Sequence, residues 1–350
     1  MIGGAEGPAK KLVFNALQNK KHVVTANKAL IAKYGDQLSK IAEKNRVNLE
    51  FEASVCGGVP IIRSLKEGLI ANKISKIYGI LNGTSNYILS SMDKQNKSFD
   101  SVLSAAKKLG YAEANPSADL NGNDVSSKLK ILSSLCFNSF LNNNIYVEGI
   151  KDIDKTDIDN ANKLGYKIKL LGFAELLNNK IYQRVHPTLI KKESYVASID
   201  GVLNAVIVDG KPVGRSIIQG EGAGPSATTS ALISDISSIL RGNVKFPFSL
   251  SSKERKKIRF ENIEERYFSS YLRFEVIDKP GVLSNITNIF SKNRVSIKRL
   301  IQNPNKNKKN SSIIIITHKS KNKSLKKILI TVMKKSYIKR KPKLIRIDDI

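Results

Sequence analysis

Short β-branched runs alternate with helical patterns at the start of the chain, and this alternation restricts the fold more than any other feature. Residues 22–26 (HVVTA) and 49–55 are typical of buried strands, whereas residues 8–18 and 29–45 have the spacing of helices. Strands that alternate with helices in this way favour a parallel sheet with crossover connections. The chain is therefore predicted to begin in an α/β unit, which we bound at residues 1–58.

The following residues, 59–225, are predicted to form a second domain. Strands are predicted at 74–81, 145–150, 180–187, 202–208 and 215–219, and a helix that passes into a strand at 156–175. Helices are predicted at 60–67, 86–92, 99–109, from Asp124 onward, and at 226–241, the last returning to the first unit. Residues 242–268 are charged and weakly patterned, which indicates a linker.

Residues 269–350 follow a different order of elements. Strands are predicted at 272–277, 295–302, 312–317 and 344–347, with helices at 282–293 and 325–335. This βαββαβ order is the ferredoxin-like split motif. Its first turn, residues 278–281 (DKPG), has proline and glycine where a turn needs them.

The charge of the chain raises the question of a nucleic-acid partner. The formal net charge is +29, but lysine, asparagine and isoleucine are abundant along the whole chain. The basic segment 303–343 contains one aromatic residue, Tyr337, and therefore lacks stacking platforms. We expect no nucleic-acid partner; salt-dependent binding through this segment is the weaker alternative.

Other sequence features indicate the cellular compartment of the protein. No run is long and apolar enough to span a bilayer, and the first residues lack the apolar region of a secretory signal. The two cysteines, Cys56 and Cys136, have no metal-ligand spacing, which fits a reducing compartment. We therefore expect a cytoplasmic protein with no membrane partner.

Three acids and one lysine lie close together in the segment LGYAEANPSADLNGNDVSSKLKIL. Asp124 and Lys128 are four residues apart, so a helix that begins near Asp124 places both on one face. Glu113 and Asp119 precede them in a Gly/Asn/Pro-rich loop. Such a cluster suits the binding of a small zwitterion, with the lysine free for proton transfer, whereas an isolated pair would be an ordinary surface ion pair.

Six ordered motifs, ending in GEGAG, carry a resemblance to a known family over residues 2–241: VVTANKAL, FEASVCGGVPII, GILNGTSNYIL, the acidic segment above and LGYKIKLLG. In these the chain resembles homoserine dehydrogenase, and FEVIDKPGVLSNITNIF resembles an ACT domain. The resemblance implies reduction of L-aspartate 4-semialdehyde to L-homoserine with NADP or NAD, in threonine, methionine and isoleucine biosynthesis. It also implies a Rossmann-like parallel sheet, an α+β catalytic and dimerisation domain, and a homodimer or homotetramer.

The resemblance assigns roles to particular residues. Lys128 would be the proton donor, with a pKa lowered by partial burial. Asp124 and Glu113 would grip the substrate, and Asp119 would support the acidic loop. The residues that would line the cofactor site are Thr25, Lys28, Gly110 and Gly222.

Two further sites follow from the same resemblance. Backbone carbonyls would bind a sodium ion, and they belong to Glu52, Val55, Gly57 and Val59; an ion-free turn is the alternative. In the ACT-like unit, Asp278 and Gly281 would contact an amino-acid effector, for which threonine is the candidate; a module that only mediates dimerisation is the alternative.

One motif of the family is missing from the sequence. No GxGxxG turn precedes Gly3, and the first residues match the third-strand region of a Rossmann unit. The chain is thus expected to be truncated at its N-terminus, with an incomplete dinucleotide-binding domain. A catalytically incomplete fragment that binds an amino acid and dimerises is therefore the competing hypothesis.

Overall fold

A computed structural model describes residues 3–140, 145–304 and 309–350. The helices are α1 (Pro8–Gln18), α2 (Lys28–Asn45), α3 (Ile61–Arg63), α4 (Gly83–Gln95), α5 (Phe99–Lys108), α6 (Ser117–Leu120), α7 (Asn123–Phe137), α8 (Lys155–Lys163), α9 (Tyr195–Ser198), α10 (Pro225–Leu240), α11 (Val282–Lys292) and α12 (Asn322–Met333). The strands are β1 (Val23–Val24), β2 (Leu49–Glu50), β3 (Lys73–Ile80), β4 (Tyr146–Val147), β5 (Tyr166–Leu177), β6 (Lys180–Lys191), β7 (Leu203–Lys211), β8 (Gly214–Glu221), β9 (Arg259–Phe260), β10 (Tyr267–Ile277), β11 (Ile297–Pro304), β12 (Asn310–Thr317), β13 (Ser320–Lys321) and β14 (Lys343–Asp348).

The first unit contains the parallel pairing that the sequence predicts. Strands β1 and β2 pair in parallel, and α2 crosses between them. Asn27 begins α2, since its side chain accepts a hydrogen bond from the Leu30 N–H. The second strand is shorter than predicted, because residues 52–54 turn into a 3₁₀ segment. Among the described residues, β1 pairs with β2 alone.

The second domain is built on an antiparallel sheet. Strand β3 lies between β5 and β7, and β5 and β6 form its longest hairpin. Helix α7 packs on this sheet with Val125, Leu129 and Leu132 buried. Burial of each such side chain contributes roughly 1.5–3 kcal/mol, so this face of α7 is fixed on the sheet. The opposite end of the domain is closed by the β7–β8 hairpin.

The third unit has the predicted ferredoxin-like topology. Its strands lie in the order β11–β12–β10–β14, and all three pairings are antiparallel. Helices α11 and α12 cover one face through buried side chains such as Ile286 and Ile328. The βαββαβ prediction is therefore confirmed by the observed order.

The third unit and the second domain share one continuous sheet. Strand β14 pairs in parallel with β6, and buried charged groups cross this seam. Arg346 contacts Glu148 at 3.0 Å, and Arg184 pairs with Asp348. His186, 2.6 Å from an Arg184 nitrogen, is fully buried; burial, reinforced by the two arginine charges, holds its pKa well below its usual value. His186 is thus a neutral packing residue.

Residues 242–268, predicted as a linker, are not a solvated tether. Phe248 is buried and its ring lies 5.1 Å from Phe51 and 4.6 Å from Phe140. Arg255 pairs with Asp36 of α2. The weak pattern of this segment arises because it packs mainly through isolated side chains, and its one complete strand, β9, has only two residues. Within the described parts of the chain, no helix combines the length and apolar character needed to cross a membrane.

Candidate functional site

The site is organised by the end of β3 and the start of α4. The carbonyl of Leu81 accepts a hydrogen bond from Lys128 Nζ at 2.6 Å. The next residue, Asn82, begins α4, since its side-chain oxygen accepts from the Ser85 N–H at 2.8 Å. A strand end that continues into a helix therefore supplies two fixed anchoring groups.

Helix α7 supplies the acid–lysine pair. Gly122 precedes the helix with a φ of 82°, a conformation that favours glycine, and a Cβ there would lie 3.0 Å from Val147. Asp124 stands in the first turn, where the helix dipole stabilises a negative charge. Lys128 follows one turn later with its Nζ 2.9 Å from Asp124 Oδ2. The predicted one-face arrangement of these two residues is confirmed.

Asp124 has a second cationic partner. Lys28, at the start of α2, places its Nζ 2.8 Å from Asp124 Oδ1, and its side chain is 44% exposed. Asp124 is buried and its Oδ2 also accepts from Asn82 at 2.9 Å. The two lysines thus come from different domains and meet on one carboxylate.

The charges in this cluster reinforce one another. Burial would raise the pKa of Asp124, but the charges of Lys128 and Lys28 outweigh it and hold that pKa well below its usual range. Burial would lower the pKa of Lys128, but the charge of Asp124 outweighs burial and raises it. The expectation of a lowered Lys128 pKa is therefore wrong, because it counted burial without the ion pair.

The other two acids occupy different surroundings. Asp119 in α6 accepts from Asn82 at 2.7 Å, and burial together with the charge of Asp124 raises its pKa. Glu113 is exposed, and within the described ranges its carboxylate has no hydrogen bond or ion pair. The predicted cluster of three acids therefore splits into two bridged aspartates and one separate glutamate.

A cleft of about 850 Å³ opens beside this cluster. Its lining includes Gly3, Gly4, Thr25, Lys28 and Glu113. Two of the four residues predicted for the cofactor site thus share a cleft with a predicted substrate residue. Ligand cavities of about 300–1,000 Å³ are usual, so the size fits part of a dinucleotide.

The two predicted glycines lie elsewhere. Gly110 follows α5 on the surface with a φ of 75° and is not among the residues that line the cleft. Gly222 is buried, and a Cβ there would lie 2.1 Å from Asn204 Cγ. Gly57 faces it from the other side, since a Cβ on Gly57 would lie 3.1 Å from the Gly222 carbonyl oxygen. Gly222 is therefore required for close packing whatever else it contacts.

The loop at residues 52–59 turns sharply between β2 and α3. Cys56 and Gly57 have positive φ values of 55° and 28°. The carbonyls of Glu52 and Val59 each accept one backbone N–H, at 3.3 and 2.7 Å, which leaves each oxygen a second lone pair. Across the described ranges, no three His, Cys, Asp or Glu side chains converge as a metal-binding group. A cation here would depend on backbone oxygens.

A smaller cleft of about 340 Å³ lies at the first turn of the ferredoxin-like unit. Its lining includes Asp278, Gly281 and Gln302. Asp278 accepts from Gln302 at 3.3 Å, and Gly281 precedes α11 with a φ of 84°. The two predicted effector residues thus lie at one cleft beside a helix N-terminus.

Sequence patterns missed the groups that hold the site together. The Leu81 carbonyl carries no side-chain signal, and Asn82 reads as an ordinary turn residue before a helix. Asn204, whose buried amide lies against Gly222, sits inside a strand pattern. A signal existed only for Asn82, which stands in the motif GILNGTSNYIL, two residues before Thr84 and three before Ser85.

Comparison with known proteins identifies the family. Models of the homoserine dehydrogenase family match residues 60–237, those of its NAD-binding domain match residues 3–52, and the ACT domain model matches residues 270–329. The homoserine dehydrogenase of Neisseria gonorrhoeae is 40% identical over 99% of this chain and 81% of its own length. The crystal structure of a homoserine dehydrogenase from Thiobacillus denitrificans superposes with a TM-score of 0.92 at 40% identity, over 99% of this chain and 81% of that one.

A more distant structure includes a bound dinucleotide. A hyperthermophilic archaeal homoserine dehydrogenase in complex with NADPH superposes with a TM-score of 0.61 at 28% identity, over 69% of this chain and 71% of that one. The family matches, the near-full-length relatives and the shared fold agree with one another. The chain belongs to the homoserine dehydrogenases, NAD(P)-dependent oxidoreductases, and carries an ACT domain.

Proposed function

We propose that the Asp124–Lys128 cluster is where L-aspartate 4-semialdehyde is reduced to L-homoserine. The observation that carries this proposal is the placement of Lys128 Nζ, which lies 2.9 Å from Asp124 and 2.6 Å from the Leu81 carbonyl. The other oxygen of Asp124 contacts Lys28, which lines the cleft. When bound, the nicotinamide cofactor supplies the hydride. Thr25 and Lys28 in the cleft would contact it, with Gly222 packed behind the 52–59 loop and Gly110 as a more remote candidate.

Lys128 acts as the proton donor. As the aldehyde carbon takes up the hydride, the C=O electron pair moves to oxygen, and that oxygen takes a proton from the Lys128 ammonium. The contacts with Asp124 and the Leu81 carbonyl use two of the three ammonium hydrogens of Lys128, so the third can be donated to the substrate oxygen. In the reverse direction, neutral Lys128 would accept the proton of the homoserine hydroxyl.

The three acids have different proposed binding roles. Both oxygens of Asp124 already face lysine ammonium groups, so this acid fixes the lysines rather than the substrate. The substrate ammonium then falls to Asp119 and Glu113, which have no lysine ion pair in the described residues. The half-exposed Lys28 is left to face the substrate carboxylate.

Neutral replacements of the two binding acids test this division. Asp119→Asn and Glu113→Gln should each raise the KM for homoserine about 10-fold or more, since a hydrogen bond to a charged group contributes roughly 1.5–3 kcal/mol. The kcat should fall less, because Lys128 is untouched. Steady-state kinetics measure both constants, with Asp100→Asn on the exposed surface of α5 as the control. An unchanged KM in both variants contradicts the proposed roles.

The 52–59 loop is the proposed sodium site. Carbonyls of Glu52, Val55, Gly57 and Val59 would serve as ligands, and the free lone pairs of two of them support this. A rise in melting temperature with sodium chloride, absent with choline chloride at equal ionic strength, is the expected result.

The proposal also includes a pathway and an assembly. The enzyme would act in threonine, methionine and isoleucine synthesis, and complementation of a homoserine auxotroph tests this placement. It would form a homodimer or homotetramer, and sedimentation measures the oligomeric state.

The ACT domain is proposed to bind threonine at the Asp278–Gly281 cleft. The amino-acid carboxylate would face the first-turn N–H groups of α11, and the ammonium would face Asp278. Saturating L-threonine should raise the melting temperature by roughly 2–4 °C per kcal/mol of binding free energy. The shift should be lost in Asp278→Asn and kept in Lys279→Gln. Equal shifts in all three proteins would place threonine elsewhere.

A further inference from the structure

Asn82 lies between the two aspartates of the site and is itself buried. Its side-chain nitrogen donates to Asp119 Oδ1 at 2.7 Å and to Asp124 Oδ2 at 2.9 Å. Its side-chain oxygen accepts from the Ser85 N–H at 2.8 Å. Both amide hydrogens and the amide oxygen are therefore used, and the orientation of the amide is fixed.

This amide sets the spacing of two like charges. Asp119 comes from α6 and Asp124 from α7, so no single element fixes the distance between their carboxylates. Because one nitrogen contacts both, an oxygen of each acid must stay within hydrogen-bond reach of the same atom. Without that donor, repulsion between the two carboxylates would favour their separation or the protonation of one of them.

The charged groups around Asp119 make it the acid whose ionisation depends on Asn82. Lys28 of α2 and Lys128 of α7 face it as cations, and Asp124 of α7 faces it as an anion. The buried Cys56 thiol lies 4.0 Å from the Leu81 carbonyl oxygen, which also accepts from Lys128. Asp124 has two lysine contacts that keep it ionised, whereas Asp119 has Asn82 as its direct donor.

The geometry assigns Asn82 as a positioning residue that holds Asp119 ionised and aimed at the substrate ammonium, while Asp124 is left to fix Lys128. This inference rests on the proposed function, because it gives Asp119 the binding role argued above. It also explains why Leu81 and Asn82 are adjacent: one strand end fixes the proton donor through a carbonyl and the binding acid through an amide.

Asn82→Asp is the decisive substitution. It keeps the size of the side chain and the oxygen that caps α4, but it replaces the shared donor with a third carboxylate. We expect the KM for homoserine to rise at least 10-fold, and the acidic limb of the kcat/KM–pH profile to move to higher pH by about one unit. Asn82→Ser, which keeps a cap oxygen and one donor, should show a smaller shift of the same sign.

Asn86→Ala is the matched structural control. Asn86 is also a buried amide of α4, but it donates to the carbonyls of Ile199 and Leu203 instead of to the site acids. It should lower the melting temperature and leave the acidic limb in place. A merely structural role for Asn82 would give the same pattern in Asn82→Asp and would overturn the inference.

Failure of the inference can be separated from failure of the proposed function. If Lys128→Ala remains active, the proposed function fails whatever Asn82 does. If Lys128→Ala is inactive while Asn82→Asp keeps the wild-type KM and pH profile, only the positioning role fails. A shifted limb and raised KM in Asn82→Asp, with both unchanged in Asn86→Ala, support the inference.

Discussion

Replacement of Lys128 by alanine is expected to lower kcat at least ~10²–10⁴-fold, the usual contribution of a positioned proton donor. The fold should persist, because Asp124 keeps its ion pair with Lys28 and its hydrogen bond from Asn82. The Leu81 carbonyl loses its side-chain donor, so a modest fall in melting temperature is expected as well. Turnover of homoserine with NADP and with NAD measures the first effect, and circular dichroism the second.

Two further lysine variants make this result specific. Lys130 lies two residues after Lys128 on α7, is partly buried, and makes no contact with Asp124 among the described residues. The Lys130→Ala variant should therefore retain activity. Lys128→Arg keeps a positive charge but replaces the proton donor with a guanidinium that does not deprotonate, so it should remain nearly inactive. An active Lys128→Ala variant would refute the assigned role. If the wild-type chain neither turns over nor binds NAD(P)H, the competing hypothesis of an incomplete fragment holds instead.

Replacement of Arg273 by alanine is expected to cost about 3–5 kcal/mol in the free energy of unfolding. Arg273 on β10 contacts Asp157 of α8 through two nitrogens, at 2.8 and 3.1 Å, and Asp154 at 2.6 Å. Asp157 is completely buried, so loss of the guanidinium leaves its charge with the Tyr271 hydroxyl at 3.3 Å and the helix N-terminus as partners. Urea unfolding monitored by circular dichroism measures the loss.

The same ion pair joins the ACT domain to the second domain, which makes its loss visible in a second way. The ACT domain should become susceptible to limited proteolysis before the rest of the chain unfolds. Arg299→Ala on the exposed surface of β11 is the control and should change the unfolding free energy by less than about 0.5 kcal/mol. Equal stabilities of the Arg273 and Arg299 variants would show that the buried pair contributes little to holding the domains together.

The order of the elements could be predicted because each carries its own local signal. Helix α7 shows the helical spacing of Val125, Leu129 and Leu132, and α11 begins directly after a proline–glycine turn. Residues 49–55 show where such signals fail. Their alternation of apolar and polar residues is typical of a strand. The chain must nevertheless turn after β2 to place Glu52, whose side chain accepts from the Ile62 and Arg63 N–H groups. A local pattern does not contain that distant requirement.

The sequence by itself determined the pairing of Asp124 with Lys128, because residues four apart on a helix must share a face. It also determined the family, through six motifs in order and an ACT-like unit. Tertiary structure alone decided that Lys28 reaches Asp124, that Glu113 stands apart, and that Asn82 joins two acids from separate helices. These contacts depend on how elements far apart in the chain pack. The low pKa of Asp124 depends on them in part, since burial alone would raise it and Lys28, from a distant helix, supplies one of the two positive charges that outweigh burial.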